Sequence, residues 1–288
     1  MTRAKKNQQS RTKKMVNWFW RLFFGGLVFV FLLFLLASWG VFGKLPTFEV
    51  LENPDTNLAT EIISSDGQTL GKFYFNDNRT PVPYEELPQH LIDALVATED
   101  IRFYEHSGID ARGTLRALMF LGTRGGASTI SQQLAKQLFT NNVSDNIVER
   151  ILQKIKEWII AIRLEKQYTK EEILTMYFNI YDFGYNADGI RSAARIYFNK
   201  EPKNLKIEES AMLEGMFKNS SLYNPIRRAE LVKARRNTVL NQLYRYDFLN
   251  KEDRDSLLQL PLKIHFTPES HSEGLATYFR EYLRDFMK

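Results

Sequence analysis

The sequence predicts a mainly α domain carried on one N-terminal transmembrane helix, with a small β-hairpin between the two. Three observations in its 288 residues point there. Leu22 to Gly43 runs without a charge. "TEIISSDGQTLGKFYF" alternates around Asp66-Gly67, a hairpin signal. From Leu87 onward apolar residues recur at helical spacing almost to the end.

The anchor comes first. At about 1.5 Å per residue its uncharged run crosses a hydrocarbon core of roughly 30 Å. Trp18, Trp20 and Trp39 fall near its ends, where aromatic belts sit. Residues 1–43 hold seven Lys/Arg (Arg3, Lys5, Lys6, Arg11, Lys13, Lys14, Arg21) and no acid, against a whole-chain excess of +5. The positive-inside rule makes residues 1–21 a basic cytoplasmic tail, places 22–43 in the cell (inner) membrane, and puts the rest on the extracytoplasmic or periplasmic side. A cleaved signal peptide fits less well: the run exceeds the ~7–15 residues of a signal core and no A-x-A site follows. The basic excess belongs to the tail, so no nucleic-acid partner is expected. With no cysteine, disulfides, thiolate metal sites and cysteine nucleophiles are excluded.

Residues 44–86 read as a stem and the hairpin. Further helices are expected at about 145–166, 187–198, 207–217 and 228–247. Thr129 with Gln132, and Thr169 with Glu172, fit capping boxes, and Ser144-Asp145 can cap the long helix after it. That helix carries an apolar stripe of Ile147, Ile151, Ile155, Trp158 and Ile162.

Three stretches can carry chemistry. "ALVATEDIRFYEHSGID" (Ala94 to Asp110) ends an apolar helix face, Leu91, Ile92, Leu95 and Val96, in Glu99 and Asp100. The negative end of a helix dipole and partial burial should make Glu99 more basic, as a general base requires. A solvated helix end is the plainer alternative. An oxygen-rich metal site from Glu99, Asp100, His106 and Asp110 matches no compact ligand motif, and zinc is disfavoured with four histidines in the chain. "RGGASTISQQLAKQLF" (Arg124 to Phe139) leads a glycine-rich turn into a capped helix whose free N–H groups can bind an anion. It is not a Walker loop, and Lys136 shares the face of Thr129. In "ERILQKIKEWIIAIRLE" (Glu149 to Glu165), Arg150, Lys154 and Glu157 share one stripe, suited either to a pyrophosphate or to plain solvent. Asp253-x-Asp255 in "EDRDS" reads as a solvated turn or helix start rather than a metal site.

Order and spacing add what the single stretches lack. "EDIRFYEHSGID" resembles the E-D-x-x-F-x-x-H-x-G signature of the peptidoglycan glycosyltransferases, glycosyltransferase family 51. "GASTISQQLAK", "QKIKE" (Gln153 to Glu157), "KEEILTMYFN" (Lys170 to Asn179) and "RRNTVLNQL" (Arg235 to Leu243) are similar to its four further motifs, in order, across about 87–247. The resemblance implies a lysozyme-like, mainly α glycosyltransferase domain over residues 87–250. It implies polymerisation of lipid II into glycan strands by inverting transfer, with undecaprenyl pyrophosphate leaving. By that resemblance Glu99 removes the proton of the acceptor 4-hydroxyl, and Glu157 assists or orients. Lys136, Lys154 and Arg150 would stabilise the pyrophosphate. Ser128, Thr129, Gln132 and Gln133 would shape the cleft around the donor. Asp100, Phe103, His106 and Gly108, from the first signature, would support Glu99.

No cofactor is implied as a requirement; Mg²⁺ or Mn²⁺ is admitted by the resemblance alone. The implied partners are lipid II, the growing glycan strand, membrane lipid and cell-wall assembly proteins. "ALMFLG" (Ala117 to Gly122) can dip into the bilayer or pack in the core. Two positions depart from the family pattern: Gln153 stands where arginine is usual and Gln137 where asparagine is usual. Residues 251–288, with "GLATYFREYLRDF" (Gly274 to Phe286), resemble the linker to the transpeptidase domain of class A penicillin-binding proteins. No Ser-x-x-Lys site with a later Lys-Thr-Gly is present, so a truncated bifunctional enzyme is expected rather than a monofunctional one. Two other functions compete: a lysozyme-like glycan hydrolase and a non-catalytic membrane scaffold in cell-wall assembly.

Overall fold

The computed structural model describes residues 2–43, 45–47, 60–66, 69–73, 79–120, 126–139, 145–268, 278, 279, 282, 283 and 286. Helix α1 (Thr2–Ser38) is continuous, so the basic tail and the apolar run form one element. Its helical part stops at Ser38, before the expected end at Gly43, and Trp39 to Gly43 close in turns. Lys13–Ser38 is long and apolar enough to cross a membrane. Strands β1 (Thr60–Ile63) and β2 (Thr69–Phe73) run antiparallel, Thr60 opposite Phe73. Gly67 of the expected turn and most of the stem lie outside the described residues.

The body is helical. Helix α2 (Gln89–Glu99) lies at its centre and is buried nearly all round. Leu91, Ile92, Leu95 and Val96 enter the main core, as their spacing predicts. Its opposite face, Ala94 and Ala97, packs on Ala211, Val239, Leu240 and Leu243. Alanines there let α8 (Ile207–Met216) and α9 (Ala229–Arg245) approach closely. Burying each large aliphatic side chain of such a helix stabilises by about 1.5–3 kcal/mol.

After the short α3 (Ala111–Met119), helix α4 (Ile130–Phe139) packs on α5 (Ile147–Gln167) and on α6 (Lys170–Ile180). The N-cap of α5 is Asn146, whose side chain accepts from the Val148 amide, rather than the expected Ser144-Asp145. Ser144 lies outside the described residues. The predicted apolar stripe of α5 is not its core face. Ile160, Ala161 and Leu164 enter the core. Ile155 and Ile159 pack on Ala37 of α1, and Trp158 stacks on Phe34 with ring centroids 5.8 Å apart. Ile147 and Ile151 are exposed. The stripe serves the anchor helix and the surface.

The capping box of α6 is complete: Thr169 accepts from the Glu172 amide, and the Glu172 carboxylate accepts from the Thr169 amide at 2.7 Å. Helix α7 (Gly189–Phe198) and the pair α8 and α9 begin and end within two residues of the predicted bounds. Asp253 sits in the first turn of α10 (Lys251–Gln259), where its amide donates to the Asn250 cap, so the "EDRDS" stretch is a helix start. Most of Gly274 to Phe286 lies outside the described residues.

Candidate active site

Glu99 is the last residue of α2, and the chain turns sharply at Asp100. A buried helix thus delivers one carboxylate to a fixed place. Glu99 Oε2 accepts from Gln133 Nε2 at 2.7 Å, and Gln133 Oε1 accepts from the Tyr177 hydroxyl at 2.8 Å. Arg235 Nη2 stands 3.8 Å from Glu99 Oε1. Side chains from α4, α6 and α9 therefore meet at Glu99.

The loop after Glu99 is pinned from several sides. Asp100 Oδ2 lies 3.0 Å from His106 Nε2 and accepts from the Ile130 amide at 3.2 Å. Phe103 is fully buried, with Lys170 Nζ 4.2 Å from its ring centroid. Lys170 Nζ also donates to the His106 carbonyl at 2.7 Å. Gly108 takes φ +86°, and a Cβ there would stand 2.8 Å from the Ala161 backbone of α5. Its carbonyl accepts from the Thr129 hydroxyl at 2.8 Å and from Gln132 Nε2 at 3.1 Å. Gly108→Ala therefore combines a strained φ with a backbone collision. It should lower stability by about 2–5 kcal/mol, read as a fall in the thermal unfolding midpoint.

Two expectations at the start of α4 need correction. Thr129 accepts from the Gln132 amide at 3.2 Å, but the Gln132 side chain goes to Gly108 instead of returning to the cap, so the box is half-formed. The helix start is also a poor anion site, because Asp100 already occupies the Ile130 amide and Thr129 that of Gln132. Arg124 and Gly125 of the preceding turn lie outside the described residues.

The cations gather next door. Lys154 Nζ donates to Ser128 Oγ at 2.9 Å and to Glu157 Oε2 at 3.0 Å. Glu157 is buried, while Arg150 and Lys136 are exposed. Ser128, Gln132, Gln133, Lys136, Arg150, Lys154 and Glu157 line one cavity of about 740 Å³. Gln137 and Gln153, the two departures from pattern, line it as well, with Lys218, which the sequence did not single out. Glu99 opens instead into an adjoining cavity of about 340 Å³, with Asp100, Thr129, Arg116 and Arg245. Thr129 faces only this second compartment, so it does not line the one that holds the lysines. Ser128 and Gln133 line both.

The four-residue metal alternative does not assemble: Asp100 pairs with His106, and Asp110 with Arg102. Among the described residues no group of three or more His, Asp or Glu side chains is placed to hold a metal ion.

Residues 66–244 match the family model described as Transglycosylase. The chain belongs to the transglycosylase family. Penicillin-binding protein 1A of Vibrio cholerae is 34% identical over 275 residues, which cover 91% of this chain and 32% of that protein. Penicillin-binding protein 1F of Bacillus subtilis is 36% identical over 224 residues, 76% of this chain and 30% of that one. The chain thus spans about a third of the length of these curated relatives. The crystal structure of penicillin-binding protein 1A from Haemophilus influenzae aligns over 81% of this chain and 24% of that one, at 23% identity and a TM-score of 0.41.

Much of the later motif sequence in this chain is scaffolding. Asn179 exchanges two 2.9 Å hydrogen bonds with the Val82 backbone. The adjacent arginines of the fifth motif part company. Arg235 turns to Glu99, while the buried Arg236 donates to the Leu260 carbonyl at 2.8 Å and holds the chain after α10. Arg235 and Tyr177 stand in motifs that give them no role, since spacing along a helix does not reveal which neighbouring helix it meets. Glu214, buried in α8, was not anticipated at all. One acid in the apolar run "AMLEGM" was its only signal.

Proposed function

We propose that this transglycosylase domain polymerises lipid II into peptidoglycan glycan strands. The observation that carries the reading is the division of the site. Glu99 faces one compartment, with Asp100, Asp110, Arg102, Arg116 and Arg245, while Lys136, Arg150 and Lys154 face the next beside Glu157, and Gln133 and Ser128 line both. A transfer needs that division: a base on the acceptor side and positive charge on the leaving-group side.

In this mechanism the acceptor 4-hydroxyl enters beside Glu99. Glu99 takes its proton as the oxygen attacks the donor's anomeric carbon from the face opposite the leaving group. The anomeric configuration inverts, and undecaprenyl pyrophosphate departs with the bonding pair. Its growing charge falls among Lys154, Lys136 and Arg150, which need little rearrangement to meet it. Glu157 fixes the Lys154 ammonium toward Ser128 and the cavity. Gln133, held by Tyr177, fixes the Glu99 carboxylate. The positions of Asp100 and His106 support a scaffolding role at the turn after Glu99. The divalent cation that the resemblance admits finds no ligand set among the described residues, and no step passes through one.

Exposed apolar side chains, of which Ile147 and Ile151 line the lysine cavity, support a lipid-linked substrate. Leu115, Met119, Phe120, Ile147 and Ile151 are exposed, so Met119 and Phe120 of "ALMFLG" are surface rather than core. With α1 in the bilayer and its basic end in the cytoplasm, the body works on the outer side. The test offers the full chain in detergent labelled lipid II and, separately, preformed glycan. Long strands from lipid II are the expected product. Cleavage of the preformed glycan would identify a hydrolase, and neither product would identify a scaffold.

A further inference from the structure

Among the described residues Glu214 is a fully buried acid without a task in that mechanism. It lies on α8, against α2 and α9, with no exposed surface. Among the described residues neither of its carboxyl oxygens has a well-formed hydrogen bond. Glu99 and Thr98 of α2 and Arg235 of α9 lie within electrostatic reach of it. Tyr177 of α6 lies within electrostatic reach. Arg235 is already committed elsewhere. Its Nε donates to the Gly215 carbonyl at 3.4 Å, and its Nη2 stands 3.8 Å from Glu99.

Two carboxyls and one guanidinium share this interior, which leaves room for one anion. Glu99 has the better claim. It keeps some exposure to solvent, accepts a 2.7 Å hydrogen bond from Gln133 and has Arg235 beside it. Glu214 has no exposed surface and, among the described residues, no well-formed hydrogen bond. We propose that Glu214 is a positioning residue for Glu99: it keeps its proton, leaves Arg235 and the negative charge of the pair to Glu99, and lends that charge a neutral polar neighbour. This rests on the reading of Glu99 as the base. Burial pushes the Glu214 carboxyl well above the ordinary glutamate range, the nearby Glu99 charge adds to it, and Arg235 opposes without overcoming them.

Stability tests the proton by itself. The unfolded chain releases the Glu214 proton near the ordinary glutamate value of about 4.3, whereas the folded chain retains it. The share of stability tied to this group is therefore full below that value. It is lost as pH rises, until folded Glu214 also ionises. Glu214→Gln does not titrate and nearly preserves shape, so its unfolding midpoint in detergent should gain on wild type between about pH 5 and pH 8. A constant difference across that range would show an ionised Glu214 and overturn the proposal.

The acid limb of the polymerisation rate tests the role. Glu214→Leu removes the polar neighbour, so Glu99 should hold its proton more tightly. The limb should move to higher pH, with a fall in kcat rather than a rise in KM. Glu214→Gln should hold the limb at the wild-type pH. A downward shift in Glu214→Gln would reveal a charged Glu214, and an unshifted Glu214→Leu would reduce the residue to packing; either result overturns the role. Polymerisation by Glu99→Gln would remove the base, and with it any task for Glu214. The pH dependence of unfolding would still report where the proton sits, which separates the two failures.

Discussion

Glu99→Gln should lower kcat for glycan polymerisation by about 10²–10⁴-fold, the range a lost general base produces. The amide is nearly the same size and can still meet Gln133, so α2 and the packing around it should survive. What disappears is the acceptor for the hydroxyl proton. Lipid II binding and the unfolding midpoint should stay near wild type, while turnover collapses. Parallel assays of strand formation and of lipid II binding separate these effects. Unchanged strand synthesis in the variant would refute the mechanism. Equal losses of binding and turnover would instead point to a damaged fold.

Lys154→Met should cost about 10²–10³-fold in the same assay, the loss typical when one preorganised electrostatic group is removed from a charge-developing step. Methionine keeps an unbranched apolar stem of similar length and removes the ammonium. Lys154 joins Ser128 to Glu157, so the change also takes the ion-pair partner of a buried carboxylate. Combining it with Glu157→Gln separates the two consequences. If the lysine acts on the leaving group, the double variant remains as slow as Lys154→Met. If the harm comes from a stranded Glu157, the double variant recovers. Single-turnover rates with lipid II make the comparison.

Local chemistry was legible in the sequence, and tertiary direction was not. The helix starts at Thr169 and Ile207 followed from caps and spacing, because those signals act within one turn. The face of α2 through Leu91 and Leu95 was equally local. The Ala94 and Ala97 face was missed because alanine carries little hydrophobic signal, though it sets how closely α9 approaches. On α5 the isoleucine stripe was read correctly as helical, but a stripe does not say whether it meets core, anchor or solvent. The same limit holds in the site. Glu99, Lys136 and Lys154 stood out by residue type and order. Their division between two compartments depends on where α4 crosses α5, and nothing local encodes that crossing. Arg235 and Glu214 come to Glu99 from helices more than a hundred residues downstream. Thr129 and Gln132 looked like a self-contained cap because the local partner is the default expectation. Gly108, a distant carbonyl, takes the Gln132 side chain instead.

The seating of α1 on α5, through Phe34 on Trp158 and Ala37 on Ile155 and Ile159, sets a working height. With α1 in the bilayer, as proposed, the helix that carries Lys154 is braced against the membrane-spanning helix, so the cleft would stay close to the headgroups. A catalyst on a slack tether would have to lift its lipid-linked donor toward the site, at about 0.8 kcal/mol for every methylene drawn into water. One braced at the membrane surface can meet the pyrophosphate where it already lies, and the hydrocarbon tail stays in the bilayer.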